Sequence, residues 1–266
     1  MRLTRWFVFS VGALLIVSHA FPQEHSRKSY LDKAIISQNG DTVHIFANAP
    51  RPLVQVLDVL EKKYWWKVNY EDPRLTSDLD LVDDVGPRYL AAHPGARAMI
   101  SGGGAFSVDF PAGPALDRPP DEYSTLLVII DAYNHSGNPG RFELRRDDKG
   151  NVDVVGVAAY DNRGDLAQQK PALDVAITVA VEERSMSETI ELMRQALAQR
   201  IGAQVFNGSF GENNFLREIK VTVAGREEPT RAVLRRALST ISATQGGLRW
   251  RLFYDPQSGS YAFNVQ

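Results

Sequence analysis

The chain has 266 residues, a formal net charge of −2 and no cysteine. Without cysteine there is neither a disulfide framework nor a thiolate metal site, so the core rests on burial alone. The near balance of 30 Lys and Arg against 32 Asp and Glu gives no electrostatic footprint for nucleic acid, and a 44% hydrophobic composition excludes a disordered chain.

The chain opens MRLTRWFVFSVGALLIVSHA. Arg2 and Arg5 form a basic start, an apolar run follows from Trp6 to Val17, and Ser18-His19-Ala20 sets small residues around a cleavage point. This predicts a secretory signal peptide over residues 1–20, with an uncleaved N-terminal anchor as its rival. No cysteine follows the run, which excludes a lipid anchor through a cleavage-site thiol. Cleavage after Ala20 leaves about 246 residues, and losing Arg2 and Arg5 moves the formal charge from −2 to −4. No later run approaches a membrane span. The exported chain is therefore expected in the periplasm or outside the cell, with no span after signal cleavage.

Residues 21–40 are polar and read as a flexible segment. DTVHIFANAP then alternates, with Val43 and Ile45 on one side of a strand and His44 and Phe46 on the other. Pro50 and Pro52 suit a helix start. Leu53, Val56, Leu57, Leu60 and Tyr64 form one apolar helical stripe, and Trp66, Val68 and Tyr70 alternate in the next strand. Residues 71–100 interrupt the pattern as an insertion. AFSVDFP is a strand, a helix runs from Tyr123 to Asn134 with Leu127, Ile130 and Tyr133 on its stripe, and a hairpin turns at Asp148-Lys149-Gly150. YDNRGDLAQQKP then reads as a polar linker over residues 160–172.

The remainder repeats the plan. Val175, Ile177, Val179 and Val181 alternate, and Ser185 with Glu188 makes a capping box. Ile190, Met193, Leu197 and Ile201 form the stripe. Laid ungapped over the first segment, Leu53 meets Ile190, Val56 meets Met193, Leu60 meets Leu197, Tyr64 meets Ile201 and Val68 meets Val205. EIKVTVAG matches the AFSVDFP strand. A helix from Pro229-Thr230 carries Leu234, Leu238 and Ile241, Gly246-Gly247 caps it, and a hairpin over residues 248–265 closes the chain. The predicted fold class is α+β: two tandem β-α-β-β-α-β-β domains over residues 41–159 and 173–266, each a sheet with two helices on one face.

The alignment sets Trp65 opposite Gly202, just past a helix end where glycine adopts a left-handed conformation without steric cost. That conformation costs Trp65 about 1 kcal/mol or more. Because Trp66 faces the core, Trp65 is expected to be at least partly exposed. It either covers an open edge of its own core or the linker, or anchors a partner, a role tryptophan favours.

The segment PLVQVLDVLEKKYWWKVNYEDP, and more fully IKVTVAGREEPTRAVLRRALSTISATQGGLRWRLFYDPQSGSYAFNV, resembles the short N-terminal domain shared by secretins and TonB-dependent transducers. The resemblance covers most of Leu173 to Val265 and, more loosely, Val43 to Val157. It implies a periplasmic interaction module of larger membrane assemblies. The chain departs from that family in the insertion and in having no secretin core, plug or barrel after the second copy.

Chemistry is sparse. Ser101-Gly102-Gly103-Gly104 lacks the lysine-threonine pair and helix of a phosphate loop, so a bulge or tight strand entry is expected there. His25, His44, His93 and His135 include no pair at helical metal spacing, and no G-x-S-x-G elbow occurs. No catalytic residue, metal ligand or cofactor site is nominated. The expected function is a non-enzymatic exported module that binds an envelope protein, with Trp65, Tyr89, His93 and Arg97 as candidate partner-binding residues. The alternative is a small-ligand binder or hydrolytic enzyme with a site between the two domains or under the insertion.

Overall fold

The computed structural model describes residues 29–113, 119–208, 215–245 and 248–266. The predicted signal peptide and the Gly246-Gly247 cap lie outside the described residues. The fold class is α+β. The first half runs β1 (Ile35–Asn39), β2 (Thr42–Asn48), α1 (Pro52–Tyr64) and β3 (Val68–Glu71). The insertion carries β4 (Leu81–Asp83), α2 (Pro87–Ala92) and β5 (Met99–Ser101). Then come β6 (Ala105–Pro111), α3 (Glu122–Asn134), β7 (Arg141–Arg146), β8 (Val152–Tyr160) and β9 (Leu166–Gln168). The second half runs β10 (Ala176–Val179), β11 (Glu183–Ser185), α4 (Met186–Ile201), β12 (Val205–Asn207) and α5 (Phe215–Glu218). It ends with β13 (Lys220–Thr222), β14 (Gly225–Pro229), α6 (Thr230–Gln245), β15 (Trp250–Asp255) and β16 (Ser260–Val265).

Local signals account for the helices. Pro52 starts α1, whose buried face is Leu53, Val56, Leu57 and Leu60. Asp121 caps α3 by accepting from the Ser124 N–H at 2.8 Å. At α4 the capping box closes both ways: Glu188 N–H donates to Ser185 Oγ at 3.2 Å, and Ser185 N–H donates to Glu188 Oε2 at 2.8 Å. The buried face of α3 is Thr125, Leu126, Ile129, Ile130 and Tyr133, whereas Leu127 points outward, one position off its predicted place. The strand predicted through Val181 breaks after Val179, leaving Val181 exposed.

The two halves share one pairing scheme. In the first, β2 pairs antiparallel with β6, β3 parallel with β8, and β7 antiparallel with β8. In the second, β10 and β11 pair antiparallel with β14 and β13, β12 parallel with β16, and β15 antiparallel with β16. Each half also encloses its own apolar core. One gathers Leu53, Tyr70, Leu126 and Val154, and the other Met193, Leu234, Trp250 and Phe263.

Three expectations need correction. The halves do not keep separate sheets. β15 adds in parallel to β3, with Arg251 opposite Tyr70 and Leu252 opposite Glu71, so one sheet runs β12-β16-β15-β3-β8-β7 with β9 beside β8. The edge of β3 away from β8 would otherwise present open N–H and C=O groups, and β15 meets them. Residues 21–40 are not flexible throughout, because Ile35–Asn39 forms β1 and pairs along β2 through a turn at Gly40. Nor are residues 160–172 a free linker. β9 returns along β8, and the Gln169 side chain exchanges two hydrogen bonds of 2.9 Å with the backbone of Arg74.

Strand alternation decides what the shared sheet carries on each face. Val68 and Tyr70 enter the first core, and Arg251, in register with Tyr70, reaches Asp58 on α1 at 2.6 Å. Trp250, Leu252 and Tyr254 enter the second core. Helices α1 and α3 therefore lie on one face of the sheet and α4 and α6 on the other. The second faces of Asn69, Glu71 and Asp153, free in an isolated half, are buried in the whole molecule.

Candidate functional site

Trp65 is the first feature of interest. α1 ends with its N–H donating to Glu61 O at 2.8 Å. Trp65 sits at φ 62°, ψ 22°, and Gly202, its counterpart after α4, at φ 63°, ψ 26°. The next residue turns inward: Trp66 is 7% exposed and its ring lies 4.9 Å from that of Tyr64. Trp65 is 82% exposed, so it covers neither a core edge nor the segment joining the halves.

The insertion forms the second feature. Asp80 holds its base: the buried Asp80 Oδ2 accepts from Tyr160 N–H at 2.8 Å, and its carbonyl accepts from Gly102 N–H at 2.7 Å. Burial pushes the Asp80 carboxyl above the ordinary aspartate range. The glycine run is a close-approach device, as a tight strand entry predicts. A Cβ on Gly103 would stand 2.2 Å from the Pro50 carbonyl oxygen, and Gly104 N–H donates to Asn138 Oδ1 at 2.9 Å. At the tip, α2 buries none of its residues. Tyr89 and His93 stack there with ring centroids 4.3 Å apart, flanked by exposed Leu90, and Leu79 is exposed nearer the base. Arg97 Nε donates to Asp83 Oδ2 at 3.4 Å, and the Ala98 N–H holds the Asp83 carboxyl below its ordinary range. The fold thus brings Tyr89, His93 and Arg97 onto one projecting arm. Trp65, the residue that ends α1, is not part of that arm. The arm leans on the second half through Met99 N–H, which donates to Gln257 Oε1 at 2.8 Å.

Sequence reasoning did not find the third feature, a buried ion network between the halves. Arg231 on α6 pairs with Glu71 on β3, donates from Nη1 to Asp153 Oδ2 on β8 at 2.9 Å, and from Nε to Asp174 Oδ1 at 3.0 Å. Arg235 joins at Asp153 Oδ2, 2.6 Å away, and Asn69 Nδ2 donates to Asp153 Oδ1 at 2.9 Å. Glu71 and Asp153 are fully buried. Burial keeps the Glu71 carboxyl above its ordinary range despite the charge of Arg231 and the N–H of Leu173. Burial works against the Arg231 cation, but three carboxylates outweigh it and raise its pKa. A second clamp lies beside it. Asp72 accepts from Arg51 Nε at 2.8 Å, the Tyr70 hydroxyl at 2.6 Å and Tyr254 N–H at 3.0 Å, while its own N–H donates to Leu252 O at 2.9 Å. The signal was present in the sequence: a carboxylate inside the apolar strands VNYE and VDVVGV is costly unless a cation meets it.

The network braces the joint between the halves. Every carboxylate of the network accepts from an arginine, and among the described residues no group of three or more His, Asp or Glu is placed to hold a metal ion. Among the described residues no helix is long and apolar enough to cross a membrane. Comparison with family models, curated proteins and solved structures returns no match.

Proposed function

We propose that this chain is an exported, non-enzymatic binding protein of the periplasm or cell envelope, related in plan to the short N-terminal domain of secretins and TonB-dependent transducers. It docks a protein partner through Trp65, with the arm bearing Tyr89, His93 and Arg97 as a second contact. The observation that carries this is Trp65 itself. A large aromatic, 82% exposed, occupies a left-handed position that the other half fills with glycine. It gains little for the fold there, and an indole is the side chain best suited to anchor an interface. The α+β plan, with the same pairing scheme twice, supports the family likeness, and the ion network braces the two halves against each other.

A photo-crosslinker placed at residue 65 in cells tests the reading. One discrete envelope adduct is expected, weakened when Tyr89 is changed to Ala in the same chain. Absence of any adduct at residue 65, with the protein folded and exported, would defeat it.

A further inference from the structure

The two halves differ where α1 and α4 hand over to the next strand. In the first, two large rings stand there, Tyr64 and Trp66, 4.9 Å apart and tilted at 31°. Their counterparts are Ile201 and Ala203, and a cleft of about 470 Å³ opens instead. That volume lies within the range of small-molecule sites. Its apolar wall is Val175, Ile201, Ala203 and Tyr261. Tyr261 is nearly buried, and the other three are half-buried.

The rim is charged with one sign. Arg74, where the chain leaves β3 for the insertion, and Lys170, just after β9, both line the cleft, and no Asp or Glu does. Neither cation has an ion-pair partner among the described residues. Gln169 fixes the geometry by bonding the Arg74 backbone twice, so the two rim cations stand on segments tied together. The Arg74 guanidinium is held by the Tyr254 hydroxyl, which favours its charged form.

We infer that this cleft binds a small carboxylate with an apolar chain, its head between Arg74 and Lys170 and its chain on Val175, Ile201 and Ala203. Two cations with no competing carboxylate favour an anionic head, and an apolar wall beneath them rewards an amphipathic ligand over an inorganic anion. The site is independent of Trp65 and of protein docking.

Octanoate titrated into the whole protein by calorimetry tests it. Saturable one-to-one binding is expected, at least tenfold tighter than octanol. Ala203→Trp copies the first half and should abolish binding with the thermal midpoint kept. Arg74→Ala combined with Lys170→Ala, both at the surface, should weaken octanoate at least tenfold and leave octanol unchanged. No octanoate binding by the unaltered protein would overturn the inference. So would equal affinity for octanol, or undiminished binding by the double variant; should Ala203→Trp not fold, the double variant alone decides.

Discussion

Trp65 and Gly202 hold the same backbone conformation at equivalent helix ends, yet only one of them is suited to it. The left-handed region brings Cβ against the following carbonyl, which costs an L-residue about 1 kcal/mol or more. Trp65 recovers little of this by burial, being 82% exposed. Trp65→Gly should therefore raise the stability of the chain by up to about 1 kcal/mol, read as a higher urea midpoint at unchanged slope, and Gly202→Trp should lower it by at least as much. An unchanged midpoint for Trp65→Gly would mean that the indole makes compensating contacts. This detail was legible in the sequence, because the ungapped alignment of the halves sets Trp65 on Gly202 and the glycine reveals the geometry. Tyr89, His93 and Arg97 were less so. Their common arm depends on the β4–β5 pairing and on the Asp80 anchor, which no periodic pattern announces.

Single elements were legible where a cap or a clean stripe marked them. The Ser185–Glu188 box gives the start of α4 to the residue. The phase of α3 was not legible, because its sequence EYSTLLVIIDAYN offers adjacent apolar residues on both sides of the stripe, and Leu126 rather than Leu127 is buried. The short edge strand β12 is held by side chains that periodicity cannot show. Arg194 donates to Val205 O, and Glu191 accepts from Arg194, from Gln195 at 2.6 Å and from Asn207 at 3.0 Å. The guanidinium of Arg194, helped by these amides, holds the Glu191 carboxyl at about 2, below the ordinary glutamate value of 4.5. A depressed carboxylate stabilises the fold above its unfolded value and loses that contribution as pH falls through the folded one. The stability advantage over Glu191→Gln should thus be full near neutrality and shrink between pH 4.5 and about 2, measured as the difference in thermal midpoint. A difference constant across that range would show that the carboxylate charge is not what holds β12.

At the scale of the whole molecule, the strand-and-helix pattern that both halves follow was legible and the union of the halves was not. Both copies bury their stripes in the same way, so the alignment finds two cores. What joins them is the outer face of the first copy's strands, where Asn69, Glu71 and Asp153 look like ordinary solvent-facing residues until α6 of the other half covers them. That placement fixes how the chain must unfold. Removing Arg231 leaves Glu71 without its cation in a fully buried site, with only Arg235 still reaching Asp153. An uncompensated buried charge of this kind costs about 3–5 kcal/mol, whereas neutralising both partners costs much less. Arg231→Met should therefore destabilise the protein strongly, and adding Glu71→Gln should recover part of the loss. Because the lost contacts belong to both halves and the sheet is continuous, the midpoint should move as one transition. Tryptophan fluorescence, which sees Trp66 in the first half and Trp250 in the second, should coincide with circular dichroism. Two separated transitions in the unaltered protein would mean that β3 and β15 do not couple the halves, and that each core stands without the other.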